Sequence, residues 1–531
     1  MNEKLNWILI EKLIYGIFLI CMLIVFSYKC NYHIDEMLTY SLSNQNRMFS
    51  FQMRDGEFFI PSEKPFIEFL TVSPKHRFDY SNVWLNQSKD VHPPFYYVLV
   101  HTICSFFPST FSPWFAGTIN FVFALLTLFV LRKLSYFFLD SSFLINCISL
   151  AFIFSGGILS TVTFLRMYVV SMFWVTLLTY YYVKELNDNT YGNDKSFLLK
   201  ISLITLFGSL THYYCILYAI LISVLYGLYL LFGKKWKETG CFCFAMVSTG
   251  IISYFVFPAM INHIFLGYRG QQVLTNARKV SDFFDRVKDF WQIMNSQLFG
   301  NFGFLIIICI MVLLVLTIRE HNKTFLYYLD FYKHKLFLSY LFILIPVISY
   351  FLIVSKITIF RTDRYLVPIY ALSFWTIVVL LISLIHRQFT RPKANIVALL
   401  MLCTITAGSW MYATWPYLYL ESKPFIDKAA NYRNYDYVCI YNSYWWDLEP
   451  SYPEVKNYKS STFIHVKNDK YLALTKKISE KINNENPDKM ILSITGIPPN
   501  EHKKYINSFP QFSFSQKLGA HYISTSYLLS K

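Results

Sequence analysis

The sequence carries little charge for its length. Only 15% of its 531 residues are Asp, Glu, Lys or Arg, whereas 55% are hydrophobic and 19% are aromatic. Soluble domains usually contain about 25% charged residues, so this composition indicates a membrane protein. The net charge of +16 does not indicate nucleic-acid binding, because the Lys and Arg residues lie mostly in short linkers between apolar segments.

The sequence also lacks the cysteine patterns of metal sites. Eight of its ten cysteines lie within apolar segments, where a thiol packs as a small inert side chain, and no CxxC or zinc-type spacing occurs. A cleavable signal peptide is not predicted, because Glu11 and Lys12 interrupt the first apolar run and no small-x-small cleavage site follows it. We therefore expect an uncleaved first membrane helix.

Long apolar runs dominate residues 1–412. Because a spanning helix needs about 20 mostly apolar residues, the sequence predicts an all-α polytopic membrane domain with eleven to thirteen spanning helices. The candidate segments are 8–28, 94–107, 112–131, 135–156, 158–183, 197–215, 216–233, 241–266, 301–318, 336–355, 365–385 and 394–412.

Three hydrophilic pieces break this pattern. They are a first outer loop at 29–93, a second outer loop at 267–300, and the tail at 413–531. The tail predicts a small soluble α/β domain on the extracytoplasmic side. Its β-like runs lie at 435–441, 490–495 and 521–529, and a charged helical stretch lies at 470–485.

Basic linkers set the expected orientation. The linkers 233–237, 319–335 and 386–393 are rich in Lys, Arg or His and are predicted to be cytoplasmic, with both outer loops and the tail on the other face. Arg132 and Lys133 do not fit strict alternation, which would place them outside. Either one early segment is re-entrant or one segment boundary is misplaced.

An acidic pair, Asp35 and Glu36, follows the first apolar segment in the sequence NYHIDEMLTY. This position lies near the depth of the lipid headgroups, where burying an unpaired carboxylate is costly. Two interpretations stay open, namely an ordinary solvated pair and a functional carboxylate at the membrane boundary.

His92 and Arg166 are further candidates. In DVHPPFYYVLV, two prolines fix an extended approach and then allow a helix to begin, so His92 is either part of a helix-start signal or a functional group at its mouth. Arg166 lies about two turns into an apolar segment, where an ionisable residue indicates function by default. It requires an anion such as a carboxylate or a phosphate, unless its side chain snorkels to the interface.

More polar side chains are expected on the same face of the membrane. His212 lies where two segments meet, a position at which a lone His is more often an interface residue than a catalyst. Arg269 begins the second outer loop, and Arg361 and Arg364 directly precede an apolar helix. Two arginines at a membrane surface suit a phosphate because their forked donors match its oxygens; interfacial anchoring by Arg and Tyr is the alternative.

The order and spacing of these motifs resemble a known family. The DE pair after the first helix is followed by HPPFYY, RMY, HYY and RYLVPIYAL. This succession resembles the GT-C glycosyltransferase superfamily, in particular the branch of protein O-mannosyltransferases and aminoarabinose transferases. The resemblance covers about residues 30–385. No single motif is highly specific, but their order and spacing are.

The resemblance implies an inverting sugar transfer from a polyprenyl-phosphate donor to an acceptor hydroxyl. Asp35 matches the catalytic acid of the family's first loop and is expected to act as general base, with Glu36 as an orienting or secondary acid. The leaving phosphate needs fixed cations. The implied substrate-binding residues are His92, Arg166, Tyr168, His212, Arg269, Arg361 and Arg364.

The resemblance also implies partners and a location. The expected partners are the polyprenyl-phosphate-sugar lipid, an acceptor glycan, lipid or protein, and the membrane, with no nucleic acid. The expected location is a bacterial plasma membrane, with the active site and the tail extracytoplasmic. No certain cofactor is implied; a divalent cation stays open, since the obvious ligands are only Asp35, Glu36 and His92.

Other functions are weaker interpretations of the same residues. A transporter or flippase of lipid-linked glycans would need charged groups deep in the bundle and broken helices, whereas the ionisable residues here gather at one surface. A polysaccharide polymerase or ligase usually has a large late outer loop, whereas the longest loop here is 29–93. A non-catalytic receptor would keep its activity after loss of Asp35.

Overall fold

The computed structural model of the chain forms two compact units. The helical unit comprises Met1–Ser27, Gln87–Tyr96 and Ala116–Trp415, and the sheet unit comprises Tyr28–Asn86, Tyr97–Phe115 and Pro416–Lys531. Most of the first outer loop therefore folds together with the C-terminal tail. The structure describes residues 2–46, 54–188, 195–279, 281–320, 335–484 and 488–531.

The helical unit confirms the predicted polytopic membrane fold. Within the described residues, seven helices are long and apolar enough to cross a membrane. The number of spans rises to as many as nine if each of two bent helix pairs forms one span. The expected number was eleven to thirteen. The seven are Leu9–Ser27, Pro113–Ser135, Tyr213–Phe232, Trp236–Val256, Leu336–Ile357, Val367–Gln388 and Arg391–Tyr412, and the bent pairs are Ser142–Ile153 with Gly156–Val162 and Phe283–Phe299 with Gly303–Thr317.

Short and broken helices account for the smaller number. The predicted segment 94–107 contains only the 12-residue helix Phe95–Phe106, which is shorter than a full span. The region predicted as two spans at 135–156 and 158–183 is instead divided among three helices. The remaining helices of this unit are Tyr168–Asp188, Lys195–Ser209, Ala259–Ile261 and Tyr268–Arg278, with a π-helical turn at Asn262–Leu266.

The core of the helical unit lies around the helix Val367–Gln388. This helix is apolar on nearly every side, and such helices are stable only when other helices surround them. It packs against Tyr168–Asp188 and Gly303–Glu320. Its Trp375 is buried and satisfies its indole by donating to Ser135 Oγ at 2.8 Å.

Arg132, which did not fit the predicted alternation, is an internal side chain. It is buried and donates to Asn146 Oδ1 at 2.9 Å and Ser149 Oγ at 2.8 Å, and its Nε lies 3.5 Å from Glu11 Oε1. Glu11 lies early in its helix and Arg132 lies late in Pro113–Ser135, so these two helices run in opposite directions. Residues 321–334 of the predicted cytoplasmic linker lie outside the described residues.

The tail forms the predicted α/β domain around a mixed sheet. Its strands are β1 (Asp436–Tyr441), β2 (Ser460–His465), β3 (Lys489–Thr495), β4 (Phe514–His521) and β5 (Ser524–Ser530). Their order in the sheet is β2-β1-β3-β5-β4; β1 is parallel to β2 and β3, whereas β5 is antiparallel to β3 and β4. The main helices of the sheet unit are Ile34–Asn44, Lys64–Leu70, Tyr80–Lys89, Lys423–Ala429, Tyr452–Val455, Tyr471–Asn484 and His502–Ile506, with a 3₁₀ helix at Trp445–Ser451.

The first outer loop covers the β2 edge of this sheet. Phe59 N donates to Ser461 O at 2.8 Å, and Ser461 N donates back to Phe59 O at 3.1 Å. Ser62 Oγ also donates to Val455 O at 2.7 Å. These bonds satisfy backbone groups that an open edge strand would expose, and they explain why the loop and the tail form one compact unit.

A buried acid–base pair joins the helix Tyr452–Val455 to the end of β4. Glu454 Oε2 is 3.1 Å from His521 Nε2, and Glu454 Oε1 accepts from Tyr458 Oη at 2.9 Å. Burial raises the pKa of Glu454 to about 7 and lowers the pKa of His521 to about 4. The raised pKa of Glu454 and the lowered pKa of His521 both favour the neutral side chains. The Glu454 carboxyl then donates to the His521 imidazole.

This pair predicts a pH-dependent stability that Glu454→Gln removes. Because the folded-state pKa of Glu454 is raised, its stabilising contribution is complete at low pH and is lost as the pH rises through about 7. Raising the pH from about 5 to 8 should therefore lower the thermal midpoint of the wild type relative to the variant. His521 is common to both proteins; parallel pH courses of the two midpoints would contradict the assignment.

Candidate functional site

His92 is positioned by the start of the helix Phe95–Phe106. Two prolines follow His92, and the next residue, Phe95, begins the helix. The backbone N of Phe95 donates to Leu210 O at 2.8 Å. This bond fixes the helix start beside the turn that carries His212, and the rings of the two histidines are 6.1 Å apart. The predicted helix-start signal is present, and it also brings two candidate residues together.

Arg166 lies in a break between the helices Gly156–Val162 and Tyr168–Asp188. The prediction of one continuous apolar segment over 158–183 was wrong at this point. Arg166 is only 3% exposed, so it is a buried side chain of the helical unit and does not snorkel to its surface.

A buried amide supports this break. Asn120 Nδ2 donates to the carbonyl oxygens of Val162 at 3.1 Å and Phe164 at 2.7 Å, which the interrupted helix leaves without their usual partners. Tyr96 Oη in turn donates to Asn120 Oδ1 at 3.3 Å. The position of Arg166 therefore depends on a polar network rather than on apolar packing alone.

Arg166, His92 and Asp90 form a chain of polar contacts. Asp90 Oδ2 lies 3.0 Å from His92 Nδ1, and Arg166 Nη2 lies 3.3 Å from His92 Nε2. Arg166 Nη2 also lies 3.5 Å from His92 Nδ1, so the guanidinium lies against both ring nitrogens, while the Asp90 carboxylate can accept from Nδ1. Sequence reasoning missed Asp90; the available signal was a carboxylate two residues before His92, within reach of its ring.

His212 is a buried polar residue close to His92. It precedes the helix Tyr213–Phe232, and its Nδ1 accepts from Tyr214 N at 3.1 Å. Burial, followed by the charges of His92, Arg166 and Arg364, holds the pKa of His212 well below its ordinary value. The neutral His212 ring is 5.3 Å from the ring of Tyr168.

The structure places Arg364 and Arg361 in different settings. Arg364 belongs to the group around His212, and its guanidinium is held 5.2 Å from the ring of Tyr365. Arg361 instead pairs with Asp289 and lies 4.0 Å from Asp282. The charge of Arg361 is therefore already offset by acids of its own unit.

Arg269 has a third setting. Its guanidinium lies 5.0 Å from the ring of Tyr268 and 5.7 Å from that of Phe360, and its Nη1 donates to Gln272 at 3.2 Å. Phe360 also lies 5.6 Å from the guanidinium of Arg364. The ring of Phe360 thus lies near both arginines.

In the sheet unit, the acidic pair begins the helix Ile34–Asn44. His33 caps this helix, since its Nδ1 accepts from Asp35 N at 3.0 Å and Glu36 Oε2 accepts from His33 N at 2.7 Å. This capping box predicts the side-chain directions, because it turns Glu36 back toward the helix start. The Asp35 side chain remains 30% exposed and lies 3.6 Å from His33 Nδ1.

Glu36 is engaged in a buried ion pair. Lys29 Nζ lies 2.8 Å from Glu36 Oε1 and 3.0 Å from Oε2, and it also donates to Tyr417 O at 2.5 Å. The two side chains are 2% and 0% exposed. The two adjacent acids therefore differ in kind: Glu36 is neutralised and internal, whereas Asp35 is accessible.

The described residues contain no group of three or more His, Cys, Asp or Glu side chains that could hold a metal ion. The divalent cation that the resemblance leaves open consequently gains no ligand set within those residues.

Comparison with known proteins supports the fold. No protein-family model and no curated protein sequence matches the chain. Among solved structures, it is similar to ArnT from Cupriavidus metallidurans bound to undecaprenyl phosphate, with a TM-score of 0.52, 10% identity, and coverage of 98% of each chain. At this identity the likeness concerns the fold alone, and it confirms the predicted helical membrane domain followed by a C-terminal α/β domain.

The buried ion pair predicts a strong and asymmetric response to substitution. Lys29→Met should destabilise the protein by about 3–5 kcal/mol, because it leaves the carboxylate of Glu36 buried without its countercharge. The double variant Lys29→Met/Glu36→Gln should recover much of this loss. Thermal unfolding of the three proteins is the measurement, and equal midpoints for the single and double variants would contradict the pairing.

Proposed function

We propose that this chain is a membrane glycosyltransferase that moves a sugar from a polyprenyl-phosphate donor to an acceptor hydroxyl, with inversion. The observation that carries the proposal is the group of His92, Arg166 and Arg364 around the neutral His212. Fixed guanidinium groups at the end of membrane helices suit a phosphate that must stay attached to a lipid tail. The proposed location is the extracytoplasmic face of a bacterial plasma membrane.

The phosphate is the leaving group of the proposed reaction. As the bond between the anomeric carbon and the phosphate oxygen breaks, its electron pair stays on that oxygen, and Arg166 and Arg364 stabilise the new charge. The similar ArnT structure contains undecaprenyl phosphate, a lipid of this chemical class. In this chain, Tyr168, Arg269 and Arg361 remain proposed substrate contacts; the ion pairs of Arg361 make its contribution smaller.

Asp35 is the proposed general base. It takes the proton as the acceptor O–H bond breaks, and the acceptor oxygen forms the new bond to the anomeric carbon. Its partial exposure supports this role, since a base must reach its substrate. Glu36 is bound to Lys29 and to the His33 backbone, so its proposed role is to orient the start of the helix that carries Asp35.

Asp35→Asn should lower sugar transfer by about 10²–10⁴-fold, because the amide cannot accept the acceptor proton. The measurement is mass spectrometry of glycans from cells that lack the protein and are complemented with each variant. Asp427→Asn, whose side chain is 64% exposed in the same unit, is the matched control. Wild-type glycans in the Asp35→Asn strain would remove Asp35 from the mechanism.

Arg364→Ala should weaken binding of the lipid phosphate by about 10–100-fold, because a charge-assisted hydrogen bond is lost. The readout is the undecaprenyl phosphate concentration that gives half-maximal thermal stabilisation of the purified protein. Arg361→Ala should have a smaller effect, and the exposed Arg391→Ala should have none. An unchanged half-point in both Arg364→Ala and Arg361→Ala would refute their phosphate role.

A transporter of lipid-linked glycans is the second candidate function. Its support is the two bent helix pairs, which kink by 56° and 82°, because broken spans are a feature of transporter binding sites. This function does not use a general base. It therefore predicts that Asp35→Asn cells keep their complete set of glycans.

A further inference from the structure

Glu449 is a buried acid that the proposed reaction does not yet use. It lies on the 3₁₀ helix Trp445–Ser451, which packs against the helix Ile34–Asn44 that carries Asp35. Its side chain is 0% exposed, and neither carboxyl oxygen has a hydrogen-bond partner among the described residues. An ionised carboxylate that is buried without a hydrogen-bond partner would be strongly destabilising.

The charges that act on Glu449 are acidic. They belong to Asp35, on the neighbouring helix, and to Asp447, on the same 3₁₀ helix as Glu449. On the following helix, Glu454 is engaged with Tyr458 and His521. Burial, followed by the charges of Asp35 and Asp447, raises the pKa of Glu449 well above its ordinary value.

Asp35 and Glu449 thus lie in contrasting surroundings. Asp35 is partly exposed and lies close to His33, whereas Glu449 is enclosed. When two carboxyl groups interact, the proton resides on the group whose ionised form costs more free energy, and the other group remains ionised. Of the two groups, the enclosed Glu449 therefore binds its proton more tightly than the partly exposed Asp35.

We propose that Glu449 is a positioning residue that sets the proton affinity of Asp35, so that the two carboxyl groups act as a coupled pair. This inference rests on the proposed role of Asp35 as general base. Once Glu449 is ionised, the arrival of the acceptor proton on Asp35 relieves the repulsion between two carboxylates. Asp35 is then a stronger base, and the bonds that form and break are unchanged.

The first test is the pH dependence of transfer. In membranes that contain the natural donor and acceptor, the initial rate of the wild type should show a second rise of about threefold or more above neutral pH. Glu449→Gln should lose this second rise, and Glu449→Asp should keep it at a displaced pH. Glu480→Gln, whose side chain is 63% exposed, is the control.

A merely structural role for Glu449 predicts a different result. Glu449→Gln would then lower the rate at every pH and leave the shape of the profile unchanged, and this outcome would overturn the inference.

The second test does not depend on activity. Infrared difference spectra of wild type and Glu449→Gln should reveal a protonated carboxyl group at neutral pH that belongs to Glu449. Asp35→Asn should lower the pH at which this group ionises, because it removes a like charge. An unchanged titration in Asp35→Asn would overturn the coupling, whatever the transfer assay shows. A shifted titration without any effect of Glu449 on the pH profile would instead count against Asp35 as the base.

Discussion

The break in the backbone between Val162 and Tyr168 is the constraint on which the cationic site depends. A continuous helix would bury Arg166 among apolar side chains, at a high cost for its charge. The break instead places Arg166 beside His92, and Asn120 satisfies the carbonyl groups that the break releases. The chain thus loses some helical hydrogen bonds at the break and gains a fixed position for the Arg166 guanidinium. A fixed cation of this kind can stabilise the charge of a phosphate.

In the sheet unit, the adjacent acids Asp35 and Glu36 have different surroundings. Lys29 neutralises Glu36 in the interior, while Asp35 stays partly exposed beside His33. The tail contributes to this distinction, because Tyr417 accepts from Lys29 and the helix that carries Glu449 packs against that of Asp35. The α/β tail therefore takes part in the surroundings of the proposed base.

Much of this fold could be predicted from patterns that are local in sequence. Apolar runs identified the membrane helices, and β-branched runs identified β1, β3 and β5. The strands β2 and β4 were not predicted. In β2, the polar Ser461 is buried and pairs with Phe59 of the first outer loop, a distant part of the chain. For the same reason, the pairing of Arg361 with Asp289 and the burial of Glu449 could not be read from their neighbours in sequence.

The most direct test of the central claim is a structure of the full-length protein with a bound polyprenyl-phosphate-sugar donor. We expect the donor phosphate to accept hydrogen bonds from both Arg166 and Arg364. A phosphate bound away from both arginines would contradict the proposed leaving-group site.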